Sequence, residues 1–99
     1  LGSSLLTGEL NCSGWPVASP TVTIAAPEAP PALLVGGLYD PATPWSGADA
    51  MQAALGNGSD VLTFDGDGHV AMFTDGTGCV YEQVRAFLLA GEAPAPACP

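Results

Sequence analysis

Two side chains in this sequence could act together as an acid and a base. They are Asp40, in Leu38-Tyr39-Asp40-Pro41, and His69, in Asp65-Gly66-Asp67-Gly68-His69. His69 is the sole histidine of the 99 residues and stands 29 positions after Asp40. A carboxylate on one imidazole nitrogen fixes the tautomer, which leaves the other nitrogen free to take a proton from a nucleophile. Acid before histidine, with a nucleophilic serine earlier still, is one of the chain orders in which such triads occur. No Gly-x-Ser-x-Gly segment occurs here, so the serine is expected to lie outside these residues.

Position along the chain makes the pairing reasonable. Ala32–Val35 is an apolar run without alternation, the pattern of a strand covered on both faces of a parallel sheet. Gly36 and Gly37 would let the backbone bend at its end and deliver Asp40 to the mouth of a turn. A helix follows, with Ser46 as its expected N-cap and Ala48, Met51, Ala54 and Leu55 as its inward stripe. Gly56-Asn57-Gly58 ends it. Val61–Phe64 reads as a second strand, and the glycines of Asp65–Gly68 permit positive φ in a tight loop before His69. A second helix is expected from Cys79 to Ala90, with Val80, Val84, Phe87 and Leu88 on its apolar face. Gly91 would cap it, and Pro94, Pro96 and Pro99 would keep the tail extended.

The order strand–helix–strand–helix predicts an α/β fold with parallel strands. Both candidate residues then follow the carboxyl ends of strands and share the sheet edge where open α/β folds place their sites. Two parallel strands cannot cover their own faces, so this unit is expected to be incomplete, one portion of a larger sheet.

Each candidate residue has a plainer explanation. An aspartate before proline is a common turn former, and a histidine between glycines is commonly a surface residue. Asp65 and Asp67 compete with Asp40 as partners for His69. They also begin a calcium-loop alternation, but it stops after two acids and lacks the distal glutamate. Cys-x-x-Cys is absent and one histidine cannot complete a zinc site, so neither metal nor cofactor is expected. Cys12 and Cys79 precede no strand–turn–helix elbow, which sets a cysteine nucleophile aside.

Composition narrows the partners. Hydrophobic residues make up 47% of the chain, enough for a packed core in one small domain. There is one basic residue, Arg85, against ten acids, for a formal net charge of −9. Such a surface cannot displace phosphate counterions, which disfavours nucleic acid and anionic membrane. No apolar run approaches a membrane span. The opening residues LGSSLLTGEL have no basic region and include Glu9, so any signal peptide is expected upstream. Residues 1–11 read as the end of a helix or a loop, and Asn11 and Asn57 each begin an N-x-S sequon.

Three cysteines leave one unpaired. Cys79 opens the second helix and Cys98 lies beyond its end, so these two could staple the tail; three reduced thiols are the alternative. Residues 1–31 form an extended, Pro-rich connector with a turn at Cys12-Ser13-Gly14-Trp15-Pro16. Within it Thr21–Ala25 alternates and could make a short edge strand. Residues 32–99 carry the strands, the helices and the acid–base pair.

Taken together, Leu33–Pro44 (LLVGGLYDPATP), Gly66-Asp67-Gly68-His69, Cys79-Val80 and the closing Cys98 resemble the C-terminal region of the TAP-like α/β-hydrolases. The Cys12–Pro16 segment resembles a stretch that precedes this region. The family includes secreted tripeptidyl aminopeptidases of actinomycetes. The resemblance covers about residues 12–98, and its Asp-Pro-x-Thr-Pro and Gly-Asp-Gly-His elements in this order are fairly specific. It implies that Asp40 and His69 are the triad acid and base. It implies that Cys79 pairs with Cys98, and Cys12 with a cysteine upstream in the remaining, nucleophile-bearing part of the enzyme. It further implies a secreted hydrolase acting on peptides from a free N-terminus, or on small esters or amides. The nucleophile elbow, oxyanion-hole loop and cap of that family are not in this sequence, so substrate preference does not carry over. A non-catalytic acidic binding module, or a degenerate hydrolase remnant, is the competing expectation.

Overall fold

The computed structural model describes Gly14, Pro16 and residues 20–99. Cys12, Trp15 and the helix end or loop expected over residues 1–11 lie outside the described residues. Strand β1 is Leu33–Gly37, helix α1 is Trp45–Leu55 and strand β2 is Asp60–Phe64. A short helix α2 (Ala71–Thr74), helix α3 (Cys79–Ala90) and strand β3 (Ala97–Cys98) complete the order. The strands form one parallel sheet in the order β1-β2-β3. This is an α/β unit with a small sheet, as the strand–helix alternation predicts.

Strand alternation divides the packing between two faces. Leu62 and Phe64 of β2 point to one face, where they form a core with Ala71, Val80 and Cys98. Leu33, Met72, Cys79 and Val84 pack around it. The opposite face meets α1: a Cβ on Gly36 would fall 2.9 Å from the Trp45 ring, so glycine admits the indole here. Trp45 Nε1 then donates to Thr63 Oγ1 of β2 at 3.0 Å, which satisfies a part-buried indole and fixes the helix on the sheet. Gln52 Nε2 donates to the Ser59 carbonyl at 2.7 Å and secures the far end of α1.

The structure departs from the sequence reading at several points. Gly36 and Gly37 do not bend the chain; they stay in the ladder opposite Thr63 and Phe64, and the turn begins at Leu38. Ser46 does not cap α1. The helix starts at Trp45 after Pro44, whose fixed φ of −57° suits helix entry. Among the described residues the glycines with positive φ are Gly56, Gly58, Gly78 and Gly91; Gly66 and Gly68 are not among them. They are small for a different reason: a Cβ at Gly66 would strike the Phe64 ring, and one at Gly68 the Thr74 side chain. Leu88, expected inward, is 72% exposed.

Thr21–Ala25 forms no strand, and Val22 and Ile24 are exposed. The connector is instead tied down downstream. Ala26 N donates to Leu55 O at 3.0 Å, Asn57 Nδ2 donates to Ala29 O and Pro30 O, and Ala32 N donates to Ser59 Oγ. The Asn57 amide nitrogen of the second sequon is thereby committed to the backbone.

The tail is more ordered than its prolines suggest. Ala97 and Cys98 pair with Thr63 and Phe64, and Cys98 is joined to Cys79 by a disulfide across 19 residues. Closing a loop of that length stabilises the fold by about 3 kcal/mol on the chain-entropy account. Ala95 N donates to Gln83 Oε1 at 2.7 Å, which holds the approach to β3 along α3.

Candidate active site

The loops after β1 and β2 emerge side by side because the ladder between the strands continues past their ends. Leu38 N donates to Phe64 O at 2.9 Å, and Tyr39 N to Gly66 O at 3.1 Å. From the other side, Asp65 N donates to Cys98 O at 2.9 Å, so the disulfide-anchored tail braces the root of the His69 loop. Gly37 lies against both loops. A Cβ there would lie 3.4 Å from both the Gly68 carbonyl and Asp40 Cβ.

Asp40 and His69 meet at this junction. His69 Nδ1 lies 2.9 Å from Asp40 Oδ2 and 3.1 Å from Oδ1. The carboxylate side chain is 6% exposed and the imidazole 50% exposed. Asp65 and Asp67, the competing partners, are exposed, and Nδ1 bonds Asp40 instead. Asp40 also accepts from the backbone amides of Ala42 at 2.8 Å and Thr43 at 3.1 Å, both on Oδ1. Asp40 is therefore both a turn former and the partner of His69.

These donors determine its ionisation. The His69 hydrogen bond, followed by those from Ala42 and Thr43, holds the Asp40 carboxyl well below the usual carboxylate range. An ionised carboxylate only accepts, so Nδ1 supplies the shared proton, and in the neutral imidazole the lone pair then lies on Nε2. That is the protonation pattern of an oriented general base.

Two further features of the site were not anticipated. Thr43 Oγ1 donates to Asp40 Oδ2 at 2.8 Å and lies 3.5 Å from His69 Nδ1. A readable signal existed: an aspartate whose side chain caps the amides two and three residues on, with a hydroxyl residue at the third position. Val70, directly after His69, has φ 58°. For a β-branched residue this left-handed conformation costs of order 1–3 kcal/mol. It is held by α2, where Phe73 N donates to Val70 O at 2.9 Å and Ala71 is buried in the core. No local sequence signal marks it.

A second carboxylate, Asp75, is likewise held below its ordinary range, first by the Thr77 hydroxyl and then by the Val80 amide. It caps the start of α3 and takes no part in the junction. An open groove of about 440 Å³ runs along β1 and α1, lined by Leu34, Val35, Thr43, Pro44, Ala48 and Met51 among others. It reaches Thr43 but is not lined by Asp40 or His69. Among the described residues, no group of three or more His, Cys, Asp or Glu side chains could hold a metal ion. No helix among them is long and apolar enough to cross a membrane.

Comparison with known proteins gives the same frame. Serine protease Hip1 of Mycobacterium tuberculosis is 37% identical over 86 residues, which is 84% of this chain and 16% of that protein. Carboxylesterase B of the same organism is 41% identical over 88 residues, again 84% of this chain and 16% of the relative. The chain thus spans about a sixth of the length of these curated relatives. No solved structure matches it significantly. The family model described as TAP-like protein matches residues 1–98. With parallel strands that bring an acid and a histidine to one edge, and a family match along nearly its whole length, the chain belongs to the TAP-like α/β-hydrolases.

Proposed function

We propose that residues 32–99 supply the acid, Asp40, and the base, His69, of a Ser-His-Asp triad whose serine lies outside these 99 residues. Residues 1–31 lead into that segment. The observation that carries the reading is the 2.9 Å contact between Asp40 Oδ2 and His69 Nδ1 at adjacent strand ends. In the reaction, Nε2 takes the proton of the serine hydroxyl as its oxygen attacks the substrate carbonyl. Asp40 stabilises the imidazolium that forms, and His69 then returns the proton to the leaving group as the acyl bond breaks. The ester of the acylated serine is cleaved by water along the same proton route.

The substrate we assign is a peptide with a free N-terminus, cleaved to release a short N-terminal piece. Support comes from the TAP-like family and from the relative named a serine protease. The relative named a carboxylesterase favours a second reading, hydrolysis of small esters or amides on the same triad. The full-length hydrolase distinguishes them with matched substrates. Tripeptide anilides with a free amine should be cleaved faster than their N-acetylated counterparts by a factor of about 100 or more. Equal rates on blocked and free peptides, or turnover of simple esters alone, would remove the exopeptidase assignment.

We also propose that the enzyme is exported and that Cys12 pairs with a cysteine outside this chain. The Cys79–Cys98 disulfide supports this, since such bonds persist in oxidising compartments. Peptide mapping of the unreduced full-length protein should recover Cys12 in a mixed peptide. Recovery of Cys12 as a free thiol would overturn it.

A further inference from the structure

We infer that Thr43 is a positioning residue for the acid–base pair, its hydroxyl holding Asp40 Oδ2 in place and favouring the Nδ1–H tautomer of His69. The inference rests on reading Asp40 and His69 as acid and base. It starts from an asymmetry in the carboxylate. Oδ1 receives two backbone amides, from Ala42 and Thr43, whereas Oδ2 receives no backbone amide. Among the described residues, the donors at Oδ2 are the Thr43 hydroxyl at 2.8 Å and His69 Nδ1 at 2.9 Å. Thr43 therefore grips both oxygens of one carboxylate, one with its amide and the other with its hydroxyl.

The hydroxyl has a single hydrogen, and an ionised carboxylate has none to give. The hydrogen in the Oγ1–Oδ2 bond must come from Thr43. That commitment leaves only lone pairs on Oγ1, which sits 3.5 Å from Nδ1. A bare Nδ1 would face lone pairs from both the carboxylate and the hydroxyl. A protonated Nδ1 meets acceptors on both sides. Thr43 thus adds to the preference for the tautomer that leaves Nε2 free to accept.

The ring needs this support because packing supplies little. His69 is half exposed and Val70 after it is 49% exposed, so hydrogen bonds carry most of its orientation. Thr43 is well suited to hold a fixed point. Pro41 and Pro44 stand on either side of the Ala42-Thr43 pair, and their locked φ angles limit how the turn can relax.

The test uses the full-length hydrolase with Thr43→Val, which keeps the side-chain shape and removes the hydroxyl, and Thr43→Ser, which keeps the hydroxyl. Thr43→Val should lower kcat about tenfold with KM within about twofold. It should also move the acidic limb of the rate profile to higher pH: the carboxylate, relieved of its donor at 2.8 Å, holds the imidazolium more tightly, and this outweighs the lost lone-pair contact to Nδ1 at 3.5 Å. Thr43→Ser should restore both. A purely structural turn residue would instead lower the melting temperature and leave the pH limb in place. An unmoved limb with wild-type kcat in Thr43→Val, or a loss that serine does not rescue, overturns the inference. Should the valine variant fail to fold, Thr43→Ala takes its place at this exposed position and is read in the same way. His69→Ala run in parallel separates the two levels. If it is inactive while Thr43→Val is normal, only the Thr43 inference fails; if it is fully active, the acid–base reading fails first.

Discussion

Replacing His69 with alanine in the full-length hydrolase is expected to lower kcat by about 10,000-fold or more, with KM little changed. Among the described residues at the junction, the imidazole is the group placed to take and return a proton, and on the proposed mechanism a serine would attack unassisted without it. Folding should survive. His69 is half exposed, it is not in the core of Leu62, Phe64, Ala71, Val80 and Cys98, and its loop is held by backbone bonds from Tyr39 and Asp65. A matching far-ultraviolet spectrum and melting temperature, with turnover lost, is the expected pair of results. Turnover near the wild-type level would show that some other group is the base.

Asp40→Asn should cost about as much, on the order of 10,000-fold in kcat, although the new side chain has the same shape. The reason lies in the donors already aimed at Asp40. The amides of Ala42 and Thr43 both point to Oδ1, so the carbonyl oxygen of asparagine must take that position. Its NH2 group then replaces Oδ2 and faces Nδ1 of His69 and the Thr43 hydroxyl as a donor. Nδ1 must become the acceptor, the proton moves to Nε2, and the nitrogen that should receive the serine proton can no longer do so. Asp40→Asn should also flatten the acid end of the stability curve. A carboxylate held below its ordinary range stabilises the fold above that range, and the contribution is lost as pH falls through its depressed folded-state value. Equilibrium unfolding between neutral and strongly acidic pH reads this difference. A variant that keeps the wild-type pH dependence would mean that the bonds to Asp40 favour neither of its ionisation states.

The parts of the fold that were legible in the sequence are those set by strong local signals. The Cys79–Ala90 helix begins and ends where the apolar spacing and Gly91 predict, and Gly56 ends α1 in the left-handed conformation. Both early strands were visible as short apolar runs, although β1 runs on through Gly36 and Gly37. Periodicity does not register residues that join a ladder because a partner strand is present. Strand β3 was hidden for a related reason. Two residues between prolines carry no strand signal of their own; their pairing comes from β2 and their anchor from the bond to Cys79. Helix α2 is four residues long and follows a strained valine, so it too depends on packing, through Ala71, more than on propensity.

The candidate site divides in the same way. Asp40 and His69 stood out because their types are chemically distinctive and each follows a strand. Their separation of 2.9 Å required the loops to be joined by the Leu38 and Tyr39 amides, which no spacing rule reveals. From the sequence alone, Gly66 and Gly68 read as conformational glycines. Their need is for space against Phe64 and Thr74, a property of tertiary contact. Thr43 was in view as part of an Asp-Pro-x-Thr-Pro element, and only the direction of its hydroxyl turned it into a neighbour of both partners.

Activation of a serine outside this chain by Asp40 and His69 would show in that serine's own reactivity. The most direct measurement is the rate at which a fluorophosphonate labels the full-length hydrolase, with the labelled residue located by peptide mass. Covalent labelling of one serine outside these 99 residues is expected, slowed by about 1,000-fold or more in both His69→Ala and Asp40→Asn. Labelling at the wild-type rate in His69→Ala, or the absence of a labelled serine in active enzyme, would contradict it.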